Sequence, residues 1–283
     1  MSLNDGHAWP PGEADISLTV DQATRIATVS IDRPAKRNAM SLQMWQVLGD
    51  IAEYLVGADA DAVVITATGE HFSAGADISE FEQLRTGLDQ CRMYSASVAR
   101  ATDGLARIPV PTVATIDGSC VGGGCEIAVA CDIRLATGRA EFGITPAKLG
   151  IVYSLASTKR LVDAVGTAWA RYILLTGELL TSDRAFGIGL VHEVVDAPDL
   201  PARLEQLVPL LTSRAQVSQI GAKAIMNLIA NGAAADSPQS AEIYDSSYVS
   251  GEYREGARAF AERRPPNFVA VRANDRNRVE DHV

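Results

Sequence analysis

The stretch Thr112-Val113-Ala114-Thr115-Ile116-Asp117-Gly118-Ser119-Cys120-Val121-Gly122-Gly123-Gly124-Cys125-Glu126 carries the reading of the fold. Thr112 to Ile116 is a short apolar run rich in β-branched residues and bounded by turn residues, the pattern of a buried strand. A glycine-rich turn follows. Glu126 to Ala130 then predicts an apolar helix, and Ile133 to Ala136 a second strand. Strand, turn, helix and strand in such short order predict an α/β chain with parallel-type connections. Glycine is a poor helix former, so three in a row at a helix start need a reason. One reason is close approach of another backbone. The other is that the free N–H groups of a helix start face a ligand oxygen. Glu126 lies in the first helical turn, where a carboxylate complements the helix dipole. Its neighbours Cys125, Ile127, Ala128 and Val129 equally suit a largely buried acid with a chemical role.

Upstream, Arg25 to Ile31 alternates, with Ala27, Val29 and Ile31 on one strand face. Ser41 can cap a helix whose apolar face carries Trp45, Leu48, Ala52 and Leu55. Val63-Val64-Ile65 reads as another buried strand, and a helix from about 90 to 106 ends before Ile108-Pro109. Downstream of 197 the strand signals stop. Arg203–Leu211, Ala215–Ile229, Ala241–Tyr248 and Tyr253–Arg264 read as helices, separated by Pro198, Pro201 and the 231–238 stretch. The expected organisation is a flexible lead-in at 1–15, an α/β core at 16–197, a helical region at 198–268 and a loose polar tail at 269–283.

Composition narrows the function. With 47% apolar and 21% charged residues the chain is ordinary for a globular protein. Its 25 basic and 35 acidic residues give a net charge of −10, which disfavours nucleic acid as a partner. An anionic ligand would need a local basic cluster. The four cysteines, Cys91, Cys120, Cys125 and Cys131, form no CxxC pair and read as reduced thiols. No apolar run is long enough for a membrane span, and the polar, acidic start does not resemble a signal peptide, so a cytoplasmic location is expected. Walker A, GxGxxG, HExxH and GxSxG patterns are all missing. The four histidines are scattered, and no metal site is expected.

Two loops remain as carriers of chemistry. One is 117–126; the other is His71-Phe72-Ser73-Ala74-Gly75-Ala76-Asp77-Ile78-Ser79-Glu80. Asp77 and Glu80 have capping-box spacing, which predicts a short helix just after Asp77. Together the loops suggest two backbone N–H groups converging on one oxygen, an oxyanion hole without a serine nucleophile. A carboxylate one turn away could act as acid or base. That arrangement suits chemistry through an enolate.

These residues resemble the crotonase superfamily, the enoyl-CoA hydratase/isomerase family, over roughly Ile16 to Phe268. The motifs are Arg33-Pro34-Ala35-Lys36-Arg37-Asn38-Ala39, Ser73-Ala74-Gly75-Ala76-Asp77 and Gly122-Gly123-Gly124-Cys125-Glu126. Further on come Leu190 to Val195, Glu255 to Phe260, and Arg263, Arg264, Asn267 and Phe268. The resemblance implies a crotonase-like spiral of ββα units with a C-terminal helical oligomerisation region that builds trimers or hexamers. It implies that the substrate is an acyl-CoA, with no separate cofactor. Ala76 and Gly123 would supply the oxyanion-hole amides. Lys36 and Arg37 would lie near the CoA phosphates, and Ala74, Ala76, Asp77 and Ile78 along the CoA-binding segment.

The sequence also departs from the family. Typical hydratases use two glutamates. The first corresponds to Glu126, but the second falls at Pro146. The segment from Ile144 to Tyr153 instead resembles the methylmalonyl-CoA decarboxylase branch, in which a tyrosine matching Tyr153 lies in the site. That branch carries a histidine where Ala76 stands. The resemblance therefore implies hydration or isomerisation of an enoyl-CoA, with Glu126 and Tyr153 as the catalytic candidates. The alternatives are a methylmalonyl-CoA-type decarboxylase and a non-catalytic CoA-thioester-binding paralogue.

Overall fold

The structure is a computed structural model that describes residues 15–280. The described residues fall into two compact units, 15–108 with 112–204, and 109–111 with 205–280.

The first unit is built on β1 (Ile16–Asp21), β2 (Ile26–Ile31), α1 (Leu42–Gly57), β3 (Ala62–Ala67), α2 (Phe81–Leu84), α3 (Leu88–Arg107) and β4 (Thr112–Ile116). It continues through β5 (Ser119–Val121), α4 (Gly123–Ala130), β6 (Ile133–Thr137), β7 (Glu141–Gly143), α5 (Leu155–Thr176), β8 (Leu180–Thr181), α6 (Ser182–Gly187) and β9 (Glu193–Val195). A six-stranded sheet runs in the order β1-β2-β3-β4-β6-β9. Only the β1–β2 pair is antiparallel; the other neighbours are parallel. Ala27, Val29 and Ile31 are fully buried, as the alternation requires. Ser41 caps α1 by accepting from the Met44 N–H at 3.2 Å. Trp45, Leu48, Ala52 and Leu55 lie buried beneath it, each large aliphatic side chain contributing about 1.5–3 kcal/mol. Where α1 meets α3, a Cβ on Gly104 would lie 2.8 Å from the Cβ of Ala52, so glycine is what lets the two helices close.

A second layer holds β5, β7 and β8, with Cys120 opposite Phe142 and Phe142 opposite Leu180. Ser73 extends it by a bridge to Cys120. A long strand, a short second-layer strand and a helix thus recur as β4-β5-α4 and β6-β7-α5. The single-residue Ser73 bridge stands in the same place after β3. All four cysteines are free, and three are buried.

The last long element of this unit, α5, is interrupted at Gly166, where φ is +72°. Among the described residues no helix is long and apolar enough to cross a membrane, and no group of histidine, cysteine and carboxylate side chains is placed to hold a metal.

Helix α7 (Leu200–Thr212) runs across the boundary at 204. The second unit then contains α8 (Gln216–Ala230), α9 (Pro238–Val249), α10 (Gly251–Ala261) and α11 (Phe268–Glu280). Two buried glutamates organise it. Glu252 accepts from the Gln216 and Val217 N–H groups at 3.1 and 2.8 Å, capping α8, and pairs with Arg272 at 2.7 Å. Glu255, 5% exposed, takes Arg264 at 2.6 Å, the Asn267 N–H at 3.0 Å and Arg258 at 2.5 Å. These donors, Arg264 first, hold its carboxyl well below the usual carboxylate range. The expected loose tail is corrected here. Residues 268–280 form α11, anchored by Arg272, which also donates to the Thr212 carbonyl at 2.6 Å. A polar composition had hidden one buried ion pair. Residues 281–283 and the lead-in 1–14 lie outside the described residues.

Candidate active site

The two glycine-rich loops meet. The Ser73 N–H donates to the Ser119 carbonyl and the Val121 N–H to the Ser73 carbonyl, both at 2.9 Å. On the other side, Met40 N–H donates to the Gly75 carbonyl at 2.7 Å and Asp77 N–H to the Met40 carbonyl at 2.8 Å. This interlocking leaves no space for side chains. Gly75 has φ +95°, and a Cβ there would lie 2.8 Å from the Val121 carbonyl oxygen. A Cβ on Gly124 would lie 2.6 Å from the Ser73 carbonyl oxygen, and one on Gly123 2.6 Å from Cζ2 of Trp45. Close approach therefore explains the glycine run.

The free N–H explanation holds as well. Gly123 is the first residue of α4, so its N–H has no partner within the helix. A Cβ on Gly123 would lie 3.8 Å from the Ala76 nitrogen, which places the two amides side by side. Neither N–H donates to an acceptor among the described residues.

Both amides belong to residues that line a cavity of about 170 Å³, together with Trp45 and the rest of the 121–123 turn. Glu126 stands in its wall, with Tyr153, Ser154 and Ser157 beside it. Burial pushes the Glu126 carboxyl above its ordinary value of 4.5, against the opposing pull of the Ser157 hydroxyl, Arg160 and the Tyr153 hydroxyl. Arg160 is itself engaged by Asp103 at 2.7 Å and by the Thr102 hydroxyl at 3.1 Å. Glu126 makes no ion pair of its own among the described residues. The Tyr153 hydroxyl is buried and faces Glu126, and burial together with Glu126 raises its pKa well above the ordinary value.

The other site residues fall as follows. Ala74, Ala76 and Ile78 line the cavity. Asp77 caps the short 3-10 turn Ile78–Glu80, and its carboxylate is bound by Arg33 at 2.8 Å and the Ser79 N–H at 3.1 Å. The capping box expected with Glu80 does not form, because Glu80 instead accepts from the Leu42 N–H at 2.8 Å, at the start of α1. Lys36 and Arg37 lie on an exposed 3-10 turn and do not line the cavity. Pro146 is buried and lines it, while Glu141 and Lys148 are exposed and do not. Glu126 is the one carboxylate in the lining.

Several contributors are not among the site residues expected from the sequence. Asn38 is buried and donates to the Thr68 and His71 carbonyls at 2.8 and 2.6 Å, tying the 33–39 turn to the 71–80 loop. Ser157 and Arg160 come from a helix about thirty residues beyond Glu126. Arg85 also lines the cavity.

The family model described as Enoyl-CoA hydratase/isomerase matches residues 21–270. A Mycobacterium leprae protein named as a probable enoyl-CoA hydratase is 31% identical, covering 89% of this chain and 98% of that one. A short-chain-enoyl-CoA hydratase of Clostridium acetobutylicum is 32% identical over 71% of this chain and 77% of that protein. A solved structure of an enoyl-CoA hydratase/carnithine racemase from Magnetospirillum magneticum superposes with a TM-score of 0.85 at 30% identity, covering 91% of this chain and 96% of the other. The α/β, crotonase-like architecture is thereby shared.

Proposed function

Because the chain belongs to the enoyl-CoA hydratase/isomerase family of the crotonase superfamily, we propose that it hydrates or isomerises an enoyl-CoA through a thioester enolate. The observation that carries this reading is the pair of unspent N–H groups, Ala76 and Gly123, beside a single carboxylate of raised pKa. Two donors fixed before the substrate arrives stabilise charge developing on the thioester oxygen without reorganisation. Glu126, its carboxyl raised above its ordinary value by burial, moves a proton to or from the adjacent carbon. Lys36 and Arg37 face the CoA phosphates, with Ala74, Asp77 and Ile78 supplying the segment along which CoA lies. No separate cofactor enters this scheme.

With Pro146 where a second carboxylate would stand, one acid does all the proton work. That favours steps in which a single proton shuttles, such as a double-bond shift or the concerted addition of one water. A second reading, decarboxylation of a methylmalonyl-type CoA ester, is favoured by the buried Tyr153 hydroxyl in the cavity lining beside Glu126. Loss of carbon dioxide yields the same enolate with less acid–base work. Assembly as a homotrimer or homohexamer is supported by α10, where Tyr253 and Phe260 are 52% and 88% exposed on one helical face. Light scattering showing a 30 kDa monomer at micromolar concentration would remove that part.

The experiment is a mass-spectrometric panel of crotonyl-, 3-enoyl- and methylmalonyl-CoA with purified protein. Water addition or a double-bond shift supports the first reading. Carbon dioxide release from methylmalonyl-CoA alone selects the second, and tight binding of all three without turnover leaves a CoA-thioester binder.

A further inference from the structure

The cavity holds a cation that the proposed chemistry does not use. Arg85 follows α2, and its guanidinium sits in the corner of two edge-to-face rings, 4.0 Å from the centroid of Phe81 and 3.9 Å from that of Tyr94. The two rings flank the group and stabilise its charge. They satisfy none of its five donors. Arg85 has no carboxylate partner among the described residues, and its Nε is buried with no acceptor. A partly buried guanidinium left without an anion is costly. This one opens into the same cavity as Glu126 and Gly123, in a protein whose net charge is −10.

Its place along the cavity is defined by Trp45. One edge of that indole packs against Gly123. Trp45 also lies beside the Tyr94 hydroxyl, and Tyr94 carries Arg85 on its ring. The contacts thus run from Gly123 through the indole and Tyr94 to Arg85, one side chain after another. Ser95, Val98 and Ala99 of α3 line the cavity with it. The basic turn with Lys36 and Arg37 is not part of that lining.

Resting on the acyl-CoA reading, we infer that Arg85 receives a carboxylate at the far end of the acyl group, so that the preferred substrate is the CoA thioester of a dicarboxylic acid. The planar fork of arginine matches a carboxylate in bidentate fashion, and the two flanking rings restrict the side chain before the ligand arrives. An uncharged acyl tail would leave the half-buried cation unmatched, which is a penalty against the wrong substrate as much as a gain for the right one.

Saturated thioesters separate this inference from the reaction itself, since they bind without the enoyl chemistry. Glutaryl-CoA, hexanoyl-CoA and free CoA would be titrated calorimetrically into the wild-type protein, Arg85→Gln and Arg85→Lys. The expected result is that wild type binds glutaryl-CoA more tightly than hexanoyl-CoA. Arg85→Gln should lose roughly 10- to 100-fold for glutaryl-CoA while hexanoyl-CoA and free CoA are unchanged, and Arg85→Lys should keep part of the preference. Equal weakening of all three ligands would mean that the cation serves the CoA phosphates, and overturns the inference. So does an absence of change in a folded Arg85→Gln. If Arg85→Gln fails to fold, the wild-type comparison decides, and no preference for glutaryl-CoA refutes the inference. Binding of free CoA reports separately on the acyl-CoA reading. An arginine-dependent glutaryl-CoA preference without any enoyl-CoA turnover would refute the proposed reaction and leave this inference standing.

Discussion

Two helical glutamates of this protein are largely shielded from water, and their carboxyls are driven in opposite directions. Glu255 on α10 is met by Arg264, Asn267 and Arg258, and its pKa is depressed. Glu126 on α4 is met by apolar surface and hydroxyl groups, its nearest cation is already engaged by Asp103, and its pKa is raised. The first carboxylate has its charge fully answered and acts as a clamp for the turn between α10 and α11. The second has its charge under-answered and stands beside two N–H groups that donate to no acceptor among the described residues. A shielded acid whose bonds are complete reads as structure; one left short of partners at a cavity reads as chemistry.

Replacing each acid by its amide tests that contrast. Glu126→Gln should lower enoyl-CoA turnover by about 10²–10⁴, the largest effect expected, while its melting temperature stays level or rises because a desolvated charge has gone. Steady-state kinetics and a thermal melt on the same sample check both halves. Full turnover in the variant would remove Glu126 from the mechanism.

Next in size is the amide beside it. Gly123→Ala pushes a methyl against Trp45, displacing the Gly123 N–H; loss of one such donor costs about 10²–10³ in rate, with about 1–3 kcal/mol of overpacking. Adding Trp45→Phe gives the methyl room and should recover the stability. Unfolding titrations of the single and double variants measure that recovery. If the double variant is no more stable than Gly123→Ala, the indole contact is not the source of the strain.

Glu255→Gln should act on stability and leave turnover at neutral pH nearly unchanged. Because its folded pKa lies below its ordinary value of 4.5, the stability Glu255 supplies is complete above that value. It is lost as the pH falls below 4.5 toward the depressed folded value. The wild-type melting temperature should therefore drop through this window, and Glu255→Gln should flatten the drop. Identical acid limbs in the two proteins would mean that the clamp is not formed. Smaller still is the kinetic counterpart. If Glu126 works as a base, its raised pKa places the acid limb of kcat/KM above its ordinary value of 4.5, and Glu126→Gln should abolish that limb.

Elements with a full period were legible in the sequence. The alternation of β2 and the Trp45–Leu55 stripe of α1 translate directly into buried faces, and the need for a reason behind three glycines led to the meeting of the loops. Strands β5, β7 and β8 were not legible, since two or three residues carry no period and are made by pairing with residues far along the chain. Helix α5 was hidden because Gly166 breaks the phase of its apolar positions, Leu161 and Val165 before it and Ala170 and Ile173 after it. Within the site, Glu126 was marked by its unusual neighbours. Arg85 was not, because its meaning lies in Phe81, Tyr94 and an absent counter-charge, and only Phe81 is close in sequence.

The central claim is that the Ala76 and Gly123 amides and Glu126 together make and quench an enolate. It is tested most directly by incubating butyryl-CoA, which offers no double bond to hydrate or shift, with the protein in deuterium oxide and following deuterium at the carbon next to the thioester by mass spectrometry. Wild type should exchange that position well above the enzyme-free rate, and Glu126→Gln should not. Binding of butyryl-CoA without exchange, or equal exchange in wild type and variant, would contradict it.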